Sequence, residues 1–317
     1  MLSIFAFDPA IARSFESFRY CVEHCGQSKG RGIADLPPGE WCSEVRIMID
    51  GAVSESELGS VKGQSMKRWL DRVRSRLVDR AGTDWDYILE SWIPNARQEH
   101  RREPFCAVVS SGFTAADEAN GCYNPDDLHE GIPAWETPRG CDITRSPGAF
   151  VAAVFPVVVV ASEVHFVDRG FGVDGDALHT RNYQAILRRL AAEADAFPAV
   201  TIHCCPDADI APDYFSDRLV ELYAGLIPAG KNITCVMWQV DGFVERGAHP
   251  FHNRFVVTKK FGLIVGYGTD APRQPTTSPD SLLFLDDAMH AERLSRCRNR
   301  SFDGVNVAHE FVIESAL

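Results

Sequence analysis

The pattern of apolar and polar positions changes near residue 140, and beyond it helical and strand-like patterns alternate. Strand-like runs are predicted at 163–168, 199–204 and 232–238. Helices are predicted from Ser146 toward Ala161, from Tyr183 to Ala194, and from a cap at Asp213 to Leu226. Pro156 is expected to kink or split the first of these helices. Alternation of this kind is typical of a parallel or mostly parallel sheet covered by helices.

This second part of the chain also contains a predicted β-hairpin. Residues 254–258 and 263–268 have the apolar character of strands, and residues 259–262 supply a turn that contains a glycine. We therefore predict that residues 140–317 form an α/β domain with a mixed, mostly parallel sheet flanked by helices.

The region 1–139 is predicted to be an α+β region, and no motif assigns it a role. Residues 44–50 alternate like a half-buried strand that ends at Gly51, and residues 105–110 are a second candidate strand. Residues 65–78 have apolar side chains at helical spacing, with basic side chains opposite them. Glycine, proline, aspartate and asparagine are frequent in 112–148, which indicates a long connection or a domain boundary.

The composition restricts the class of protein. A net charge of -12 opposes non-specific attachment to nucleic acid or to an anionic membrane, so a phosphate-bearing ligand would need a local cationic pocket. The longest apolar run, 150–161, is shorter than the ~20 residues of a membrane span. The chain does not start with the basic segment and cleavage site of a signal peptide, so we expect a cytoplasmic protein that does not span a membrane.

The ten cysteines are expected to be thiols because no secretory signal accompanies them. Cys21, His24 and Cys25, with Cys42 further along, have ligand-like spacing, but the second short-spaced pair of a structural zinc site is missing. We therefore expect no metal and no cofactor. His165 and His203 lie within apolar strands, where a buried, hydrogen-bonded histidine is the ordinary finding.

The strongest candidate for chemistry is the pair His252 and Arg254 at the start of a predicted strand. Residues two apart on a strand project to the same face, so the two side chains can act together. An imidazole can serve as a nucleophile or an acid–base group near neutral pH, and a guanidinium offers a fork of donors to phosphate oxygens. The glycines Gly266 and Gly268 follow after one further strand, where backbone N–H groups could approach an anion. A hydrogen-bonded structural pair is the alternative interpretation of His252 and Arg254.

This arrangement resembles the signature of the phospholipase D-like domain found at the C-terminus of MIT-domain proteins, and that of similar bacterial proteins. The resemblance rests on His252-x-Arg254, Thr258, a glycine turn, and Gly266-Tyr267-Gly268-Thr269-Asp270. These families also carry an Asp-Pro-Tyr-Phe-like segment after an upstream strand, where this chain has Asp168-Arg169-Gly170-Phe171. The resemblance covers roughly residues 135–290.

The resemblance implies a phospholipase D-like fold and a site for a phosphate group. Carried over, His252 is the nucleophile and Arg254 replaces the lysine that neutralises phosphate charge. The resemblance also implies ligand-binding roles for Asp168, Thr258, Gly266, Gly268 and Asp270. The sequence departs from the superfamily in three ways: arginine replaces that lysine, residues 266–268 lack the serine that contacts phosphate, and Lys259 stands where an aspartate is usual.

Two functions follow from these departures. The first is a module that binds a phosphate-bearing ligand or a protein partner with little or no turnover. The second is a homodimeric phosphodiesterase or nuclease of a bacterial defence system, in which a two-fold axis pairs two copies of the single motif. Nucleic acid and other phosphodiesters are the ligands that both functions suggest.

Overall fold

The structure is a computed structural model of an α/β protein. It describes residues 2–54, 59–80, 82–88, 91–128, 131–169, 171, 173, 178–194, 196–206, 210–240, 251, 253–266 and 279–316. The chain forms two compact units, Met1–Arg139 and Gly140–Leu317.

The first unit is built on a parallel sheet with the strand order β2-β1-β3-β4. Its strands are β1 (Ser3–Phe7), β2 (Arg31–Ile33), β3 (Ala107–Val109) and β4 (Cys122–Tyr123). Its helices are α1 (Phe15–His24), α2 (Trp41–Ser54), α3 (Ser60–Arg74) and α4 (Trp92–Arg102). Phe5, Phe7 and Trp41 are fully buried in the core on one face of the sheet. The helix predicted at 65–78 and the strand predicted at 105–110 are confirmed within a few residues.

The strand predicted at 44–50 is wrong, because these residues belong to helix α2. The alternation of Val45, Ile47 and Ile49 suggested a strand, yet Ile47 is 61% exposed while Val45 and Ile49 are buried. Val45 and Ile49 are four residues apart, which is the spacing of one helical face. Gly51 does not end the element, since the helix continues to Ser54.

The second unit is built on a mixed sheet with the strand order β12-β8-β7-β6-β9-β10-β11-β5. Its strands are β5 (Gly140–Ile143), β6 (Glu163–Val167), β7 (Ala199–Cys204), β8 (Asn232–Val240), β9 (Arg254–Thr258), β10 (Gly262–Val265), β11 (Asp280–Phe284) and β12 (Val305–Glu314). The sheet is mixed, as predicted, but the prediction that it is mostly parallel is wrong, because the β9–β10 hairpin and the strands paired beside it run antiparallel. Among the described strands, parallel pairing is confined to β6, β7 and β8, and the remaining pairs are antiparallel.

The helices of the second unit are α5 (Pro147–Val158), α6 (Leu178–Glu193), α7 (Pro212–Tyr223) and α8 (Asp287–Asn299). Ser146 caps α5 by accepting a hydrogen bond from the amide of Ala149, as its position before a proline predicted. Pro156 does not split α5, which continues to Val158. The predicted cap at Asp213 is wrong by two positions, because Ala211 is the capping residue and Asp213 lies in the first turn.

The predicted hairpin is confirmed by β9 and β10, which pair antiparallel. Its turn needs a glycine for space: a Cβ at Gly262 would lie 2.8 Å from Cδ2 of His290 and 2.8 Å from Cδ1 of Leu285. The hairpin therefore packs closely against Leu285 and against His290 of helix α8.

All ten cysteines are free thiols, as predicted. Within the described residues, no helix has the length and apolar character that crossing a membrane would require.

Candidate functional site

An ion pair lies at one edge of the second unit's sheet, where β6 ends and β9 begins. Nε of Arg254 is 3.4 Å from Oδ1 of Asp168. The Asp168 side chain is 1% exposed and that of Arg254 is 22% exposed. The carboxylate is thus buried beneath a guanidinium that reaches solvent.

The strand register explains why these two residues meet. Strands β6 and β9 are antiparallel, with Val167 opposite Phe255. The next position along the ladder places Asp168 beside Arg254. Because both residues alternate with buried apolar neighbours, their side chains share one face of the sheet.

Further hydrogen bonds hold Asp168 in place. The hydroxyl of Tyr183, on α6, donates to Oδ2 of Asp168 at 3.2 Å, and the Asp168 amide donates to the carbonyl of His203 at 2.9 Å. The strand-like pattern predicts Asp168 at the end of a strand, but it does not predict Tyr183 as its partner. A buried tyrosine on the helix that follows the strand was the available signal, since a buried hydroxyl usually has a hydrogen-bond partner.

Gly266 lies at the same edge, next to a second buried carboxylate. A Cβ at this position would lie 3.1 Å from Oδ1 of Asp280, which is 3% exposed. The Gly266 amide donates to the carbonyl of Ser281 at 3.0 Å, so it is part of the sheet ladder. Asp280 was not among the residues predicted from the sequence, and with Asp168 it gives the described part of this edge two buried carboxylates.

Thr258 is not brought to this edge. It ends β9, four residues after Arg254, which is roughly 13 Å along an extended strand. Its hydroxyl donates to the carbonyl of Phe261 and accepts from the amides of Lys260 and Phe261. These bonds shape the hairpin turn, and the side chain is fully buried.

Three of the predicted site residues, His252, Gly268 and Asp270, lie outside the described residues. Of the predicted residues that are described, Asp168, Arg254 and Gly266 lie at this edge and Thr258 does not.

A second cluster of polar side chains lies on the opposite face of β6. The indole N–H of Trp238 is 3.3 Å from Nδ1 of His203, and Nε2 of His203 is 3.2 Å from Nδ1 of His165. Nε2 of His165 is 2.6 Å from Oε1 of Glu163, which also accepts hydrogen bonds from Arg298. An indole can only donate, so Nδ1 of His203 accepts, and each histidine carries its proton on Nε2. Both histidines are then neutral and fully hydrogen-bonded, as predicted for core residues.

Burial and the contact with Arg298 determine which groups of this hydrogen-bonded series are charged. Burial lowers the pKa of His165, and it lowers the pKa of His203 well below the usual 6.5. The Arg298 guanidinium, with help from His165, lowers the pKa of Glu163 to about 2. The negative charge therefore resides on Glu163 and the rings stay uncharged near neutral pH.

His165, His203 and Cys297 are a candidate metal-ligand group, because their ligand atoms lie within 4.8 Å of one another. A metal bound to Nε2 of His203 would leave that ring's proton on Nδ1. This proton would face the indole N–H of Trp238, so two hydrogen-bond donors would point at each other. Burial raises the pKa of the Cys297 thiol to about 12, which also disfavours a thiolate ligand. The geometry therefore fits the hydrogen-bonded chain better than a metal centre.

Comparisons with known proteins assign no family. Neither a family model nor a curated protein matches the chain. Among solved structures, one match is TrmBL2, an archaeal chromatin protein whose structure is described as showing a novel mode of DNA binding. It is 12% identical, covers 80% of this chain and 85% of that chain, and has a TM-score of 0.26. A similarity this weak carries no argument about fold or function.

Proposed function

We propose that the second unit is a phospholipase D-like module that binds a phosphate-bearing ligand at the sheet edge around Arg254, with little or no turnover. The observation that carries this proposal is the buried carboxylate of Asp168 beside the partly exposed guanidinium of Arg254. Nucleic acid or another phosphodiester is the ligand class that the sequence resemblance suggests.

The ion pair supports binding because it orients the guanidinium in advance. A carboxylate that engages Nε restricts the plane of the guanidinium group, so less side-chain freedom is lost when a ligand binds. Tyr183 holds the carboxylate from the other side. The same arrangement is compatible with the role that the resemblance implies for Arg254, the neutralisation of phosphate charge.

The charges at this edge favour a single phosphate group over a long polyanion. Asp168 is buried beside Arg254, and Asp280 is buried beside Gly266. Two buried carboxylates at these strand ends limit the positive potential that a second phosphate would meet. The net charge of -12 also opposes the binding of an anion anywhere except at a local cationic site.

Binding of a fluorescein-labelled thymidine dinucleotide, followed by fluorescence anisotropy, tests the proposal. The Arg254→Lys variant keeps the charge that Asp168 needs but removes the guanidinium fork, so it separates ligand binding from folding. We expect its affinity to be lower by about tenfold, in line with ~1.5 kcal/mol for a hydrogen bond to a charged group. Arg218→Lys, on the exposed face of α7, is the matched control and should bind like the unsubstituted protein.

Two results would contradict the proposal. One is an unchanged affinity in Arg254→Lys with an unchanged unfolding temperature. The other is no binding of the dinucleotide at low salt by the unsubstituted protein, where phosphate contacts are strongest.

The alternative function is the homodimeric phosphodiesterase with His252 as nucleophile. The chain holds one His-x-Arg motif, whereas the active site that the resemblance implies uses two, so this function requires a dimer that brings two copies together. Hydrolysis of bis-nitrophenyl phosphate in the presence of a chelator, lost in His252→Ala, would replace the binding proposal by this one. Chromatography coupled to light scattering would show the accompanying dimer.

A further inference from the structure

The first unit contains an open cleft of about 380 Å³ that the sequence analysis did not anticipate. A volume of this size is within the range of small-molecule binding sites. Its described lining lies between residues 8 and 93 and includes Asp8, Glu40, Glu44, Trp85, Tyr87 and Trp92. We refer to it as the acidic cleft, because its described lining contains three carboxylates and no lysine or arginine.

The acidic cleft lies where a parallel sheet of this order is expected to bind ligands. In the order β2-β1-β3-β4, the chain leaves β1 on one side and returns on the other, so the crevice lies at the carboxyl ends of β1 and β3. Asp8 directly follows β1, and Ser110 directly follows β3. The Ser110 hydroxyl donates to Oδ2 of Asp8 at 2.6 Å, across the crevice.

The carboxylates of the lining have no cationic partner among the described residues. Both oxygens of Asp8 accept from neutral donors, Oδ1 from the amide of Ala10 at 2.8 Å and Oδ2 from the Ser110 hydroxyl. Glu40 is exposed and Glu44 is half-buried, and the ion pairs of the described residues include neither. These charges oppose a phosphate group and favour a cation.

The arrangement of the carboxylates disfavours a metal ion. Asp8, Glu40 and Glu44 do not converge into a group whose oxygens all lie within metal-ligand distance, in contrast to the cluster of the second unit. Carboxylates that are spread around a cleft can instead surround a larger ligand with several donors.

Aromatic side chains form the other part of the lining. The indole N–H of Trp92 donates to the carbonyl of Leu36 at 2.9 Å, which fixes that ring. Trp85 and Trp92 are both half-buried and pack against the core, and Tyr87 is 68% exposed. Aromatic faces attract ammonium and guanidinium groups, and they do so more strongly where water is partly excluded.

We propose that the acidic cleft binds a small organic cation, such as an amine or guanidinium compound. Asp8, Glu40 and Glu44 supply the charge, and Trp85, Tyr87 and Trp92 supply the aromatic surface. The proposal concerns the first unit alone, so it is independent of the phosphate site proposed for the second unit.

Calorimetric titration of the full chain with agmatine and choline tests this inference, with AMP, ribose and Mg²⁺ as competing ligand classes. We expect agmatine and choline to bind, and their affinity to fall by about three- to tenfold in the Glu40→Gln/Glu44→Gln double variant, which is the range of two partly exposed ion pairs. Glu118→Gln, which neutralises an exposed carboxylate outside the cleft, should bind like the unsubstituted protein. Tyr87→Ala should weaken binding as well, whereas Tyr214→Ala in the second unit should not.

Three results would overturn the inference. The first is no binding of either cation at millimolar concentration. The second is binding that the double variant and Tyr87→Ala leave unchanged. The third is binding of AMP, ribose or Mg²⁺ at these residues in preference to the cations, which would assign the cleft to an anion, a sugar or a metal ion.

Discussion

Both units place an aspartate at the first position after an interior strand, and the two aspartates differ in their partners. Asp8 follows β1 and accepts a hydrogen bond from the hydroxyl of Ser110. Asp168 follows β6 and pairs with the guanidinium of Arg254. A hydroxyl orients a carboxylate without neutralising it, whereas a guanidinium does both.

This difference gives the two strand ends different electrostatic surroundings. Around Asp8, two further carboxylates line a cleft and keep it anionic. Around Asp168, the guanidinium compensates the buried charge and itself reaches solvent. In the two proposals made above, strand ends in equivalent positions bind a cation in the first unit and a phosphate group in the second, and the partner of the aspartate differs between them.

The largest expected effect is the loss of stability in Arg254→Ala. This substitution leaves the Asp168 carboxylate buried without its guanidinium, which typically costs about 3–5 kcal/mol. Denaturant unfolding, with hydrogen exchange to assign the transition to the second unit, measures the change. A loss below about 1 kcal/mol would mean that the pair behaves like an exposed ion pair, and the contrast with Asp8 would disappear.

The second prediction concerns the stability of the second unit at acidic pH. Burial lowers the pKa of His165 and His203 in the folded protein, so below pH 6.5 the unfolded chain binds more protons than the folded one. The free energy of unfolding therefore decreases as the pH is lowered below 6.5. At pH 5 the loss is about 2 kcal/mol for each histidine that stays neutral. Glu163, with a pKa of about 2, contributes stability that is present above pH 4.5 and is lost as the pH falls toward 2.

Unfolding free energies of the second unit between pH 7 and 5 check this prediction. His203→Asn should reduce the slope of stability against pH, whatever it does to stability at pH 7. An unchanged slope would indicate that the ring is protonated in the folded state, and the tautomers assigned from the Trp238 indole would then be wrong.

The third prediction applies to the first unit. Ser110→Ala removes a hydrogen bond to a charged group, and Ser110 is 1% exposed, so we expect a loss of about 1.5 kcal/mol. Ser17→Ala, at an exposed hydrogen bond between two serines, should change stability little. Equal effects of the two substitutions would show that the Asp8–Ser110 bond does not hold the crevice together.

The sequence predicted the second unit better than the first, because its elements repeat a clear pattern. The strands at 163–168, 199–204 and 232–238 and the hairpin are all confirmed. Asp168 could be placed at a strand end from the sequence, but its contact with Arg254 depends on the pairing of β6 with β9. That pairing joins residues 86 positions apart, and local patterns do not determine it.

The first unit was harder to predict because its patterns are ambiguous. Alternating β-branched residues in 44–50 satisfied the strand period, while the spacing of Val45 and Ile49 also satisfied the helical one. The acidic cleft brings together residues from four separate stretches of the chain, between Asp8 and Ile93. No stretch carries a motif by itself, so the site becomes visible only when the strand order is known.

The smallest expected effect tests the corrected assignment of α2. Gly51 lies within this helix, and a Cβ there would meet nothing within 4 Å. Gly51→Ala should therefore stabilise the first unit by about 0.5–1 kcal/mol, because alanine loses less backbone entropy in a helix. Gly63→Ala in α3 should show no such gain, since its Cβ would lie 2.5 Å from Cγ2 of Val53. Thermal unfolding of both variants decides the matter: a destabilised Gly51→Ala would be evidence that the element ends at this glycine, as the strand pattern predicted.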